Sequence, residues 1–438
     1  MLYGIFNFYS YLIMKLFSLS LLLFLIFSTN LLFAQKYVNK NRLRSKFVLE
    51  KNKKEYYKKI ETNIYQTLKK EINSSTKKEW QKALIEAESL FLKNRRISNA
   101  IIKALSIKTD KYIKLQRAAL ETAYATDPNI FTTQVNRIFK ITKDKISYAI
   151  AGNYLLRTNT KSITKVFLLN DLENKFVSWH KNPLLKSFHY YLKYSPKEQF
   201  LHQPSLKKLF KHTFQKGKTI IFSIHRRNRN FPGITIIKKP DGSFVKNNDG
   251  SIFSIPQLAV SFSNLPGYIP NGNTPTGIYS IVGTYISPTK SIGPTPNILV
   301  RTPFEVSPDI FFHKLNKHKK WNKEDYKNLL PISWQNYFPI YQSYFAGKSG
   351  RKLIIMHGST DDLSYYKNLP YYPLSPTQGC LSTKEIWDSK TGKCIVSDQV
   401  KLVNAFRSTK QNQGFLIVIE IDNKEKPVTF NDIKKYLN

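Results

Sequence analysis

The spacing of apolar residues changes character near Lys218, and that change limits what the chain can fold into more than any other feature. Before it, apolar side chains recur at helical intervals. Leu84, Ala87, Leu90 and Phe91 do so within 81–93, and Phe131, Val135, Ile138 and Phe139 within 131–139. Asp127-Pro128 between such stretches predicts a helix start, with Asp as N-cap and Pro at the first helical position. Lys residues scattered between the apolar positions read as solvated helix faces. Short helices separated by turns predict paired-helix packing, in the manner of a small solenoid, although no clean sequence period is present. The aromatic and leucine stripes of this region read as core.

After Lys218 the pattern is that of strands. Thr219-Ile220-Ile221-Phe222-Ser223-Ile224 and Gly233-Ile234-Thr235-Ile236-Ile237 are β-branched and apolar, and Pro240-Asp241-Gly242 supplies a turn. Segments 276–285, 353–356 and 415–421 continue the β character, with Gly, Pro and Asn between them. The expected fold class is therefore α+β. A helical, Lys-rich region over 35–215 precedes a mostly β domain over 216–425, and 426–438 is a C-terminal tail. The stretch 303–350 interrupts the β pattern with Trp321, Trp334, Phe338 and Tyr341. It reads as an insertion able to cover a cleft. At 438 residues the chain is long enough for two to three domains, each with its own core.

The first residues set the expected compartment. Met14-Lys15 precedes an almost wholly apolar run over 16–27, and Ala34 is a small residue before a polar stretch. A positive start, an apolar core and a small residue form a secretory signal, here residues 1–34 with cleavage after Ala34. Residues 2–13 contain no Lys or Arg, so Met14 is a candidate start. If translation begins at Met1, the two apolar runs together would act as a membrane anchor. The expected location is outside the cytoplasm, in a periplasm or cell envelope.

The formal charge of +40 is compatible with a polyanionic partner. The Lys residues are dispersed, however, and Lys, Asn, Ile and Tyr are abundant together, as in a chain from an AT-rich genome. No Arg-rich arm or nucleic-acid motif is present, so nucleic acid is not expected as a partner. The two cysteines are Cys380 and Cys394. In an exported chain a pair of cysteines reads first as a disulfide.

Two short segments carry chemistry. Leu353-Ile354-Ile355-Met356-His357-Gly358 is an apolar strand that delivers a His to a sheet end, where loops open. Ser375-Pro376-Thr377-Gln378-Gly379-Cys380-Leu381 is a turn that aims Cys380. A thiol becomes nucleophilic when a neighbour takes its proton, and His357 is the candidate base. Backbone N–H groups of Gly379 and Cys380 would face a developing oxyanion. Upstream, Asn271-Gly272-Asn273-Thr274-Pro275-Thr276-Gly277 forms a turn that feeds a strand.

These residues together resemble the L,D-transpeptidase (YkuD-like) catalytic domain. That family carries a Thr-Pro-x-Gly turn before a strand, then a His, then Ser/Thr-His-Gly-Cys. The matches here are Thr274-Pro275-Thr276-Gly277, His357, Thr377, Gly379 and Cys380, over roughly 218–425. Gln378 stands where the family has its second His, so the chain resembles a Gln-Gly-Cys variant with an N-terminal helical region. The resemblance implies an exported cysteine acyltransferase without metal or organic cofactor. Cys380 would attack the bond between the third residue of a peptidoglycan stem peptide and the following D-Ala. It would release D-Ala and pass the acyl group to an amine of a second stem, giving a 3–3 cross-link. With water as acceptor the product is that of an L,D-carboxypeptidase. Gly358 would orient His357 through its carbonyl, and Thr377 and Gln378 would steady the oxyanion. Arg226 and Arg229, in His225-Arg226-Arg227-Asn228-Arg229, are candidates for binding stem-peptide carboxylates, with a solvated loop as the plainer reading. His313 is a further candidate facing the cleft. The helical region would be a spacer or a platform for a protein partner.

Two rivals remain from the sequence. Other wall cysteine peptidases or amidases, such as papain-like enzymes, usually place Cys before His, the reverse of the order here. A non-catalytic wall-binding module would use Cys380–Cys394 as a structural disulfide. A reversible bond between the same cysteines would instead switch an enzyme off.

Overall fold

A computed structural model describes residues 37–107, 110–158, 160–316 and 318–437. The apolar leader, Met14 and the Ala34 cleavage point lie outside them. No helix among the described residues is long and apolar enough to cross a membrane.

The N-terminal region is built of helices α1 (Glu50–Thr67), α2 (Lys77–Ser89), α3 (Arg95–Leu105), α4 (Ile113–Thr126) and α5 (Thr132–Ile141). They are followed by α6 (Lys145–Leu155), α7 (Lys165–Lys175), α8 (Pro183–Lys193), α9 (Pro196–Leu201) and α10 (Leu206–Lys211). Side-chain oxygens stop the chain from fraying at several starts. Asn94 accepts from Arg96 and Ile97 N–H, Asp144 from Ser147, and Ser195 with Glu198 forms a capping box. Asp127 does not start a helix. Its carboxylate closes a turn with the N–H groups of Asn129 and Ile130, and α5 begins later at Thr132. Successive helices pack in pairs, α1 on α2, α5 on α6 and α7 on α8, and α4 lies against α2, α3 and α6. Trp80, Leu84, Ile101, Leu120, Phe139 and Tyr148 fill their shared core. Each fully buried large apolar side chain of this kind contributes about 1.5–3 kcal/mol.

This core does not end at the helices. Leu265, Tyr268 and Ile269, from the loop of the second region, are packed into it. The helical region is thus fused to the loop that carries Asn271–Thr274 rather than tethered as a spacer.

The second region is an eight-stranded mixed sheet. Its strands are β1 (Thr219–His225), β2 (Gly233–Lys238), β3 (Ile255–Gln257), β4 (Gly277–Tyr285), β5 (Asn297–Arg301), β6 (Ile355–His357) and β7 (Leu381–Ser382), with the late strand β10 (Gly414–Glu420). The order across the sheet is β3-β2-β1-β10-β4-β5-β6-β7, parallel at β1–β10 and β6–β7 and antiparallel elsewhere. A separate hairpin joins β8 (Glu385–Trp387) and β9 (Cys394–Ser397).

Both sheet faces are covered. Phe222, Ile224, Ile278, Phe415 and Ile417 meet Phe311, Tyr326, Trp334 and Tyr341 on one face. The latter belong to 303–350, which contains helices α11 (Pro308–Phe312), α12 (Lys323–Lys327) and α13 (Gln342–Lys348). That segment is a structural layer of the sheet, not a cover over a cleft: its aromatic rings are consumed in the core. On the other face, Ile221, Tyr279, Met356, Leu381 and Leu416 meet Leu402, Val403 and Phe406 of helix α14 (Asp398–Arg407). Burial on both faces explains why β1 and β10 read as nearly continuous apolar runs.

The last residues also belong to the fold. Val428 and Ile433 of the C-terminal segment, which includes helix α15 (Phe430–Ile433), are buried. Asp432 pairs with Arg226.

Candidate active site

Strands β6 and β7 run parallel, with Met356 opposite Leu381 and His357 opposite Ser382. Met356 and Leu381 both enter the core on one face. Side chains alternate along a strand, so His357 and Cys380 project from the opposite face. Continuing the register one residue back sets Cys380 against Ile355, two residues from His357. A strand spacing of ~4.8 Å and a two-residue rise of ~6.6 Å put the two backbones roughly 8 Å apart. Among the described residues no hydrogen bond joins the His357 ring to the Cys380 thiol: the ring bonds the Gly358 carbonyl and the thiol approaches that of Leu353.

His357 is buried, and its Nδ1 donates to the carbonyl of Gly358 at 2.5 Å. Nε2 is thereby left as the lone-pair nitrogen. Burial lowers the pKa of His357 below its ordinary 6.5, and the Gly358 carbonyl partly opposes this. The ring is neutral at neutral pH and able to take a proton. Gly358 has no room for a side chain, because a β-carbon there would overlap the Glu385 carboxylate.

Cys380 is half-buried. Its thiol approaches the carbonyl of Leu353, with Sγ to O at 3.6 Å. Burial raises the thiol pKa, while the Ile355 N–H and the Arg351 charge pull it down. The shifts thus favour a thiol and a neutral imidazole at rest. Leu353 is well exposed beside the thiol and has a φ of 63°. Non-glycine residues rarely adopt such a backbone, and strain of this kind is often held at functional sites.

The turn before Cys380 is tied down from three sides. Thr377 Oγ1 accepts from the Gly379 N–H at 2.9 Å and donates to the Cys380 carbonyl at 3.0 Å. Thr274 Oγ1 donates to the Gly379 carbonyl at 3.1 Å. Gly379 has a φ of 99° and abuts Arg351. One expectation changes here. The Gly379 N–H is taken by Thr377 and does not point at an oxyanion. The Cys380 N–H enters no hydrogen bond among the described residues and is the donor left over. The Gln378 side chain is exposed beside the thiol.

Arg351 is a residue that sequence reasoning missed. It is buried, and its guanidinium donates to the carbonyls of Ile269 at 2.9 Å, Gly272 at 2.7 Å and Gln378 at 3.3 Å. It thus joins the upstream turn to the turn that bears Cys380 and places a positive charge near the Cys380 thiol. In sequence it is one of 69 Lys and Arg residues, and only its position just before the His-bearing strand could have marked it.

Other candidates have structural partners. Arg226 is fully buried between Asp422 and Asp432 and also bonds the carbonyls of Lys426 and Pro427. It holds the C-terminal segment and is closed to a ligand. Arg229 pairs with Glu420 at 2.8 Å, so its charge is already matched in part. His313 does not face the cleft. Its Nε2 contacts the Gly414 carbonyl at 2.9 Å and Ser280 Oγ at 3.0 Å, pinning the end of α11 to the sheet. Cys380 and Cys394 are both free thiols, and Cys394 lies on the separate β8–β9 hairpin. No Cys380–Cys394 disulfide is present in this structure.

The helical region grips the loops on both sides of the site. Tyr57 of α1 donates to Asp361 and accepts from the Asp362 N–H, each just past His357. Glu121 of α4 accepts from Asn271 Nδ2 at 3.3 Å. Among the described residues, no three His, Cys, Asp or Glu side chains gather closely enough to hold a metal ion. Compared with protein-family models, with curated proteins and with solved structures, the chain matches none.

Proposed function

We propose that the chain is an exported cysteine acyltransferase of the L,D-transpeptidase type, acting on peptidoglycan stem peptides. The observation that carries this reading is the His357 ring. Its Nδ1–H is fixed on the Gly358 carbonyl, which leaves Nε2 basic on the face of the sheet that bears Cys380. Nε2 takes the thiol proton as Sγ attacks the carbonyl before the terminal D-Ala. The Cys380 N–H is the donor available to the oxyanion. The C–N bond breaks, the departing D-Ala amine takes the proton from the imidazolium, and a thioester remains on Cys380. An amine of a second stem then attacks the thioester and gives its proton to Nε2. The amide forms and the thiol is restored. Water in place of the amine gives a carboxypeptidase by the same steps.

The test is acylation of the protein by a carbapenem, or labelling by a thiol-directed probe, located by mass spectrometry. An adduct on Cys380 is expected, absent in Cys380→Ala and slowed about a hundredfold or more in His357→Ala. A Cys380 thiol that resists both reagents in the folded protein would overturn the proposal. Accumulation of 3–3 cross-links or of tripeptides in walls exposed to the enzyme then separates transferase from carboxypeptidase.

A further inference from the structure

We infer that a cleft between the helical region and the sheet binds the free carboxylate end of a peptide, at a site separate from the Cys380 thiol. The cleft has a volume of about 330 Å³, and neither Cys380 nor His357 lines it. It does share a wall with the nucleophile turn, because Thr274 lines it and holds the Gly379 carbonyl.

Its charges do not balance. Lys165, Arg227 and Arg229 line it, and Glu420 is the carboxylate among its walls. Glu420 is occupied by Nε and Nη2 of Arg229, at 3.2 and 2.8 Å. The remaining Nη1 of Arg229 is buried without a hydrogen-bond partner. Leaving a buried charged donor without an acceptor is costly, and a bound oxyanion would supply the missing acceptor. Among the described residues the Arg227 side chain bonds Gln199 and lies over the face of Tyr191, both neutral. Lys165 is crowded by Arg227: burial and that neighbour lower its pKa, and the nearby Glu198 carboxylate opposes the shift only in part. An anion held among these groups would relieve both.

The walls also favour an organic body over a bare inorganic ion. Tyr191 and Tyr268 lie stacked along the cleft, with centroids 5.2 Å apart. Such rings offer apolar faces to a side chain next to the carboxylate. Guanidinium forks match the planar carboxylate in two-point contacts.

The test uses the full chain carrying Cys380→Ala, so that it does not depend on acyl transfer. The probes are N-acetyl-alanyl-alanine, its C-terminal amide and inorganic phosphate, titrated by calorimetry. The free acid is expected to bind at least about tenfold more tightly than the amide. Lys165→Gln and Arg227→Gln should each weaken it by about tenfold, with melting temperatures unchanged. These two carry the test because Arg229 is paired in the interior and its replacement risks the fold. Equal affinity for acid and amide would overturn the inference, as would binding unaffected by both substitutions. Phosphate bound as tightly as the free acid would overturn the peptide class and leave an inorganic anion site.

Discussion

The guanidinium of Arg351 fills the space that a side chain on residue 379 would need. A β-carbon there would overlap Arg351 Nη2 and the Gly272 carbonyl oxygen. With a φ of 99°, position 379 also disfavours any L side chain on backbone grounds alone. Gly379→Ala should therefore destabilise the fold by about 2–3 kcal/mol and displace the turn that aims Cys380. Arg351→Ala removes the overlap with the guanidinium but leaves the Gly272 carbonyl and the backbone strain. In a double-mutant cycle read by thermal unfolding, Gly379→Ala should cost less in the Arg351→Ala background than alone. Additive effects would show that the guanidinium does not set the turn.

The protonation of His357 fixes the direction of the pH dependence. The imidazole must be neutral to accept the Cys380 proton, and burial holds its pKa below 6.5. As pH falls through that lowered value, the ring takes a proton from solvent and, in the proposed mechanism, can no longer accept one from Cys380. The acid limb of Cys380 acylation should thus lie below 6.5, the ordinary imidazole value. An acid limb at or above that value would show that the ring is not buried as described.

The strands at the middle of the sheet were legible because β1 and β10 are covered on both faces and so are apolar throughout. Strand β6 was legible in outline from the apolar run before His357, although it spans only Ile355–His357, whereas the two residues of β7 carry no readable period. Cys380 and His357 stood out by their local context of Gly and an apolar run. What the sequence hid was partnership over distance. Arg226 and Arg229 looked like free cations because their carboxylates, Asp422 and Glu420, come some 190 residues later. Arg351 was hidden for a related reason: its acceptors are backbone carbonyls from two other loops, and carbonyls have no sequence signature. The rings of 303–350 were visible, but whether aromatic residues cover a cleft or a sheet depends on which face lies opposite them.

A second titration reports on the helical region. Glu88 and Glu121 are both buried, and Glu88 carries a carboxylate oxygen without a hydrogen-bond partner. Burial raises Glu121 from 4.5 to about 7, and burial with the neighbouring Glu121 charge raises Glu88 well above its ordinary value. A raised carboxyl pKa means that the folded chain holds its proton more tightly than the unfolded chain. The resulting stability is complete below 4.5 and is lost as pH rises through about 7. For Glu121 the shift corresponds to about 3 kcal/mol. Melting temperature should fall from pH 5 towards pH 8 by this linkage, and Glu88→Gln, which removes one ionisable partner, should flatten the fall. A pH profile identical in Glu88→Gln would separate the pair from the stability of the region.

Tyr57 tests whether the helices support the site. Its hydroxyl donates to Asp361 Oδ1 at 3.2 Å and accepts from the Asp362 N–H at 3.1 Å. Asp361 also accepts from Ser359 and Ser375, so this carboxylate ties together the loop after His357 and the loop before Cys380. Burial raises the Asp361 pKa, and the donated hydrogen bonds oppose that rise. Tyr57→Phe keeps the ring and removes the hydroxyl. It should cost about 1–2 kcal/mol in stability, because a buried carboxylate oxygen and an N–H lose their partner together. If α1 acts on the site through this contact, Cys380 acylation should slow in Tyr57→Phe even at temperatures where the fold is intact. Tyr365→Phe removes a hydroxyl that bonds Glu61 of the same helix instead of Asp361, and should leave the acylation rate unchanged. Equal slowing in both variants would mean that docking of α1 in general, and not the Tyr57–Asp361 contact, governs the thiol.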